Sequence, residues 1–105
     1  MKTSVLANQL STELGIMVDP SRLSAYEGRG VIRTPRKLGK YKDYSENDYE
    51  RIKKTVLLSE FGVHLDDIRR YLMGLQTPEL EEVFKDRIRK LDRLVDVGKQ
   101  VFNVT

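Results

Sequence analysis

Cysteine is absent from this 105-residue sequence. That excludes a disulfide framework, a thiolate metal site and thiol redox chemistry. Histidine occurs once, at His64. A metal centre built around it needs several more ligands at set spacing, so His64 reads as a structural residue beside a helix start. No apolar run approaches the roughly 18 residues of a membrane span, and the N-terminus lacks the pattern of a secretion signal. Apolar residues make up only 39% of the chain, below the usual globular share. That balance suits a modest core with much solvated helix surface, and it also suits a protein that completes its core by pairing with a second copy. Neither a nucleophile–base pair, a phosphate-loop motif nor a carboxylate cluster can be identified, so no catalytic residue, metal or other cofactor is expected.

What is present is charge, unevenly spread. The net charge is +3. Between residues 22 and 42, however, seven bases (Arg22, Arg29, Arg33, Arg36, Lys37, Lys40 and Lys42) face one acid, Glu27. A cluster of +6 in an otherwise acidic chain is the electrostatic footprint of a nucleic-acid surface.

The order of local signals predicts a mainly α fold. Val5, Leu6, Leu10 and Leu14 recur at helical spacing over 4–14, with Ser4 as a cap and Gly15 as a left-handed stop. Asp19-Pro20 then opens a second short helix with Leu23 and Tyr26 as inward anchors, and Gly28 and Gly30 bracket its end. Two short helices across a tight turn make a helix-turn-helix candidate. Val31-Ile32-Arg33 reads as a brief strand broken by Pro35. Leu38-Gly39 reads as a hairpin tip, with Lys40 to Tyr44 returning as a wing. In that return strand Lys40, Lys42 and Tyr44 share one side, and Tyr41 and Asp43 the other.

Ser45 and Asp48 form a variant capping box ahead of a third helix, whose apolar face holds Tyr49, Ile52, Val56, Leu57 and Phe61 before Gly62 stops it. Leu65, Ile68 and Leu72 mark a fourth helix, with Asp66 and Asp67 in its first turn, where the helix dipole favours acids. Thr77-Pro78 caps a long amphipathic helix. Along it Phe84, Ile88, Leu91, Val95, Gly98 and Phe102 alternate at steps of four and three, the coiled-coil rhythm. The expected architecture is a winged helix-turn-helix over 1–75 and a dimerisation helix over 76–105.

The chain resembles the MerR family of bacterial transcription regulators from about residue 4 to residue 102. Tyr26-Glu27 ends the second helix, and Gly30-Val31-Ile32 stands for the family's glycine-leucine-leucine. Tyr41-Lys42-Asp43-Tyr44-Ser45 stands for its tyrosine-arginine-x-tyrosine-serine, and Glu60 to Ile68 for its link between helices. The resemblance implies a homodimer formed through an antiparallel C-terminal helix. It also implies pseudo-palindromic double-stranded promoter DNA, the second helix in the major groove, the wing along the backbone, and RNA polymerase as a partner at a distorted promoter. Four departures stand out. Ser24 replaces an arginine after the helix leucine, and Ala25 replaces an aromatic. The first turn is about two residues longer, and the wing glycine, Gly39, comes one place early. No effector domain is expected after the dimerisation helix, so a regulator without its own ligand sensor is the expectation.

Ser21, Arg22, Ser24, Tyr26 and Arg29 on the second helix, and Arg36, Lys37, Lys40, Tyr41 and Lys42 on the wing, are the candidate DNA contacts. Lys42 is the foremost, since it matches the family arginine. Phe84, Ile88, Leu91, Val95 and Phe102 are the candidate dimer seam. Arg69 and Arg70 read as ion-pair formers. The leading functional expectation is a DNA-binding transcription regulator, cytoplasmic and nucleoid-associated. Two others remain open: an architectural, excisionase-like recombination factor, and a protein-interaction module that captures a partner helix.

Overall fold

A computed structural model describes residues 1–104. The elements run α1 (Thr3–Leu14), α2 (Pro20–Gly28), β1 (Arg36–Leu38), β2 (Tyr41–Asp43), α3 (Glu46–Glu60), α4 (Leu65–Leu72) and α5 (Thr77–Phe102). The expected winged helix-turn-helix with a small hairpin and a long C-terminal helix is the fold found. By contacts the chain groups into two compact units, Met1–Val56 and one beginning at Leu57.

In the first unit, Leu6 and Leu10 of α1, Leu23 and Tyr26 of α2, and Tyr49, Ile52 and Val56 of α3 are buried together with Val18, Val31, Ile32 and Tyr44. Gly15 ends α1 at φ 69°, a left-handed conformation that glycine adopts without a Cβ penalty. Its N–H donates to the Ser11 carbonyl at 2.9 Å. The turn into α2 is closed by Ser11, whose Oγ accepts from the Val18 N–H at 2.9 Å and donates to the Ala7 carbonyl at 2.8 Å. Asp19 then caps α2, accepting from the Arg22 N–H at 3.0 Å, with Pro20 at the first helical position.

Three local expectations are corrected. Helix α1 begins at Thr3 with Lys2 as its N-cap, so Ser4 lies inside it. The Leu6 N–H donates to the Lys2 carbonyl at 2.9 Å, so the first helical bond closes on Lys2, while the Met1 carbonyl accepts from the Tyr44 N–H at 2.8 Å. Val31-Ile32 is a buried, irregular connection rather than a strand. After Gly30 turns at φ 71°, the Val31 N–H donates back to the Tyr26 carbonyl at 3.0 Å, so its backbone is satisfied by α2. The hairpin tip is Gly39-Lys40, one residue later than expected, because Leu38 pairs with Tyr41 in the ladder. Gly39 supplies the positive φ of 64° that this two-residue turn requires.

The capping box before α3 is reciprocal. The Ser45 N–H donates to Asp48 Oδ2 at 2.9 Å, and the Asp48 N–H donates to Ser45 Oγ at 3.1 Å. Asp48 Oδ1 also accepts from Arg33 Nε at 3.0 Å. Burial raises the Asp48 carboxyl, but these donors outweigh it and the net shift is downward. The folded state therefore binds fewer protons here than the unfolded state. Stability from Asp48 is complete above its unfolded value near 3.8 and is lost as pH falls through the lower folded value. An Asp48→Asn variant is expected to be less stable by about 1–3 kcal/mol at neutral pH. Its acid limb should also be flatter in urea titrations repeated between about pH 5 and pH 2. An acid limb identical to that of the native chain would contradict this account.

In the second unit Leu58, Val63, Ile68, Leu80 and Phe84 are buried. The rings of Tyr71 and Phe84 meet edge to face, 5.0 Å between centroids, and bind α4 to the first turns of α5. Helix α5 begins one residue before the expected cap assignment. Gln76 is its N-cap in a left-handed conformation, and Thr77 is its first residue. His64 is the N-cap of α4 and makes no side-chain capping bond. Arg70 pairs with Asp67, as the ion-pair reading expected, whereas Arg69 is exposed and makes no ion pair among the described residues.

Candidate nucleic-acid interface

Helix α2 is held at both ends by its own residues. Asp19 Oδ1 accepts from Ser21 Oγ at 2.5 Å as well as from the Arg22 N–H, and these two donors keep its carboxyl below the usual range. The positive end of the helix is thus already covered by a carboxylate, and Ser21 Oγ is engaged there. An anion approaching α2 meets its side chains rather than a bare N-terminus. Arg22 is half-buried. Its Nε donates to Tyr26 Oη at 2.6 Å, and its guanidinium lies 5.7 Å from the Tyr26 ring centroid. Tyr26 has the buried ring expected of an inward anchor, and its hydroxyl accepts from Arg22, a contact the sequence did not disclose. Ser24 is exposed on the same helix, and Arg29 is its exposed C-cap.

The hairpin places its charges by register. Arg36 lies opposite Asp43, and its Nη2 donates to Asp43 Oδ2 at 2.7 Å. The hydrogen bond from Arg36 and that from the Met1 ammonium hold the Asp43 carboxyl below its ordinary value. Lys37 lies opposite Lys42, a pairing of like charges that is unfavourable alone. Glu27, in the last turn of α2, resolves it. Lys42 Nζ donates to Glu27 Oε2 at 2.8 Å, both side chains are partly buried, and the carboxylate raises the Lys42 pKa. Tyr41 is on the other side of the strand, with the Lys2 ammonium 4.4 Å from its ring centroid.

Of the seven bases, Arg22 donates to the Tyr26 hydroxyl, and the other six divide into two groups. Arg33, Arg36 and Lys42 are matched by Asp48, Asp43 and Glu27. Arg29, Lys37 and Lys40 are exposed and make no ion pair among the described residues. Lys42, the foremost wing candidate from sequence, is tied to α2. Glu27 was visible only as the one acid in a basic stretch. That isolation was itself the signal, because a half-buried carboxylate at a helix C-terminus needs a cation in reach. Lys2 gave no such signal, since only the fold brings the N-terminus beside the hairpin.

Of the seam candidates, Phe84 is only 7% exposed within its own unit, whereas Ile88, Val95 and Phe102 are 46%, 52% and 77% exposed. Leu91 is half-buried. No group of three or more acidic or histidine side chains among the described residues could hold a metal. None of their helices is long and apolar enough to cross a membrane.

The family model for MerR HTH family regulatory proteins matches residues 7–75, well over half of the chain. Among curated proteins nothing matches. The match covers α1 from Ala7 onward, α2, the hairpin, α3 and α4, and so includes the helix and hairpin just described. The chain belongs to the MerR HTH family of regulatory proteins and is a DNA-binding transcription regulator.

Proposed function

We propose that the protein acts as a homodimer on pseudo-palindromic double-stranded DNA in the cytoplasm. In this reading residues 1–75 hold DNA and 76–105 pair the copies. Helix α2 enters the major groove with Arg22, Ser24 and Arg29, while the wing lies on the backbone with Lys37 and Lys40. The observation that carries the reading is the set of exposed bases Arg29, Lys37 and Lys40, unmatched by acids among the described residues. Arg22, braced on Tyr26, is the candidate for base contact, because the first turns of a recognition helix face base edges. Distortion of a promoter for RNA polymerase belongs to the same proposal. Bending a site costs several kcal/mol, which phosphate contacts from two copies offset.

Selection from a random duplex library, followed by fluorescence anisotropy across a salt series, tests the proposal. Selected sites should share two inverted half-sites, and affinity should fall steeply as salt rises. A consensus with one unrepeated half-site would refute the dimeric mode. Absence of duplex binding even at low salt would refute the interface.

A further inference from the structure

We propose that Leu38, at the tip of the hairpin, enters the minor groove beside the half-site as an apolar wedge that opens a base step, with Tyr41 packed behind it on the sugars. The inference rests on the proposed DNA-binding mode and adds to it a residue that selects sequence without reading a base edge.

The hairpin has two unlike faces. Lys42 is drawn to α2 by Glu27 at 2.8 Å, so the face of the ladder that carries Lys42 is the one toward the helix. Leu38 and Tyr41 are the next cross-strand pair, and by the alternation of a strand they stand on the opposite face. Among the described residues, the large apolar side chains left exposed in the first unit are Val5, Met17, Leu38 and Tyr41. Two of these are therefore direct partners at the wing tip, 68% and 52% exposed.

The charges around the pair identify its occupant. Lys37 and Lys40 lie on either side of Leu38 in the chain, exposed and without an ion pair among the described residues. The exposed Lys2 holds its ammonium 4.4 Å from the Tyr41 ring centroid. An apolar tip ringed by cations fits a partner whose apolar surface lies between two rows of anions. The minor groove of B-DNA is such a surface, with sugar faces and base edges between two phosphate strands. Its width of about 6 Å is too narrow for a two-stranded ribbon but admits one side chain. With α2 in the major groove and the wing on the adjoining backbone, the minor groove is the next groove the tip meets. Aliphatic side chains inserted there partly unstack a base step. The steps that yield most readily are pyrimidine–purine, TA and CA/TG.

Leu38→Met and Leu38→Thr separate a wedge from a mere brace of the hairpin. Methionine keeps the reach and the apolar surface. Threonine keeps a β-branched partner for Tyr41 in the ladder but is too short and polar to part bases. The probe is a duplex of the sequence selected by the native full chain, with 2-aminopurine placed in turn at each flanking adenine, because its fluorescence rises on unstacking. At saturating protein, the native chain and Leu38→Met should raise the signal severalfold at one step of the flank, and Leu38→Thr should not. Affinity should fall on the order of tenfold for each copy carrying Leu38→Thr. The salt slope should stay as it is, since no charge is removed. Sites selected by Leu38→Thr should also lose the enrichment of pyrimidine–purine steps at that position. A native signal flat at every flanking adenine, or a Leu38→Thr variant with native signal and affinity, would overturn the wedge and leave DNA binding in place. Absence of duplex binding by the native chain would instead overturn the DNA-binding mode on which the wedge rests.

Discussion

Replacing both Lys37 and Lys40 with alanine is expected to make the salt dependence of DNA binding shallower by about 3.6 on a log–log scale. In the proposed dimer two lysines on each of two copies would neutralise four phosphates, and each would contribute about 0.9 to the slope. Near 0.1 M salt that corresponds to roughly a thousandfold loss of affinity. The fold should be unaffected, because both side chains are exposed and neither makes an ion pair among the described residues. Lys42→Ala should behave differently. Its ammonium is held by Glu27 at 2.8 Å, so its removal should weaken binding through a displaced wing while leaving the slope nearly unchanged. Anisotropy titrations from about 50 to 200 mM salt separate the two. A slope lowered as much by Lys42→Ala as by Lys40→Ala would show that Lys42 leaves Glu27 for phosphate.

The contrast between these lysines marks the limit of what the sequence discloses. The Ser45–Asp48 box, the Asp19 cap and the Gly15 and Gly62 stops are written in a few adjacent residues, and each forms as read. The alternation of Lys42 with Tyr41 and Asp43 was also legible, since period two follows from the extended backbone alone. The charge count marked the basic stretch from α2 through the hairpin. It could not say which charges were already matched, because Glu27 and Lys42 are 15 residues apart and meet only when the hairpin folds onto α2. Val31 and Ile32 misled for a related reason. Their β-branched side chains predict a strand, but their burial comes from a turn whose N–H bonds to α2, and tertiary context overrides propensity. On α5 Ile88, Val95 and Phe102 of the periodic stripe are exposed, yet Phe84 belongs to the protomer's own core. Only the Tyr71 contact reveals that.

Val95→Asp should separate the copies and, with them, most of the DNA affinity. Val95 is half-exposed in the protomer, so a carboxylate there leaves the internal packing of the unit intact. In the proposed dimer, paired through 76–105, each copy would instead place a carboxylate in an apolar seam, where neither is solvated nor matched. Light scattering should then report a monomer, with circular dichroism retaining the helical content of the native chain. The consequence for DNA follows from linkage. In a dimer the second half-site is engaged at an effective concentration set by the protein, and a monomer loses that advantage, typically 10²–10⁴-fold. The salt slope should fall towards half as well, since one copy's cations remain on the duplex. Acid should partly reverse the effect. Those carboxylates would have raised pKa values, so protonation below about pH 5 should restore association. A Val95→Asp variant that stays dimeric at neutral pH and keeps native affinity would place the seam elsewhere on α5.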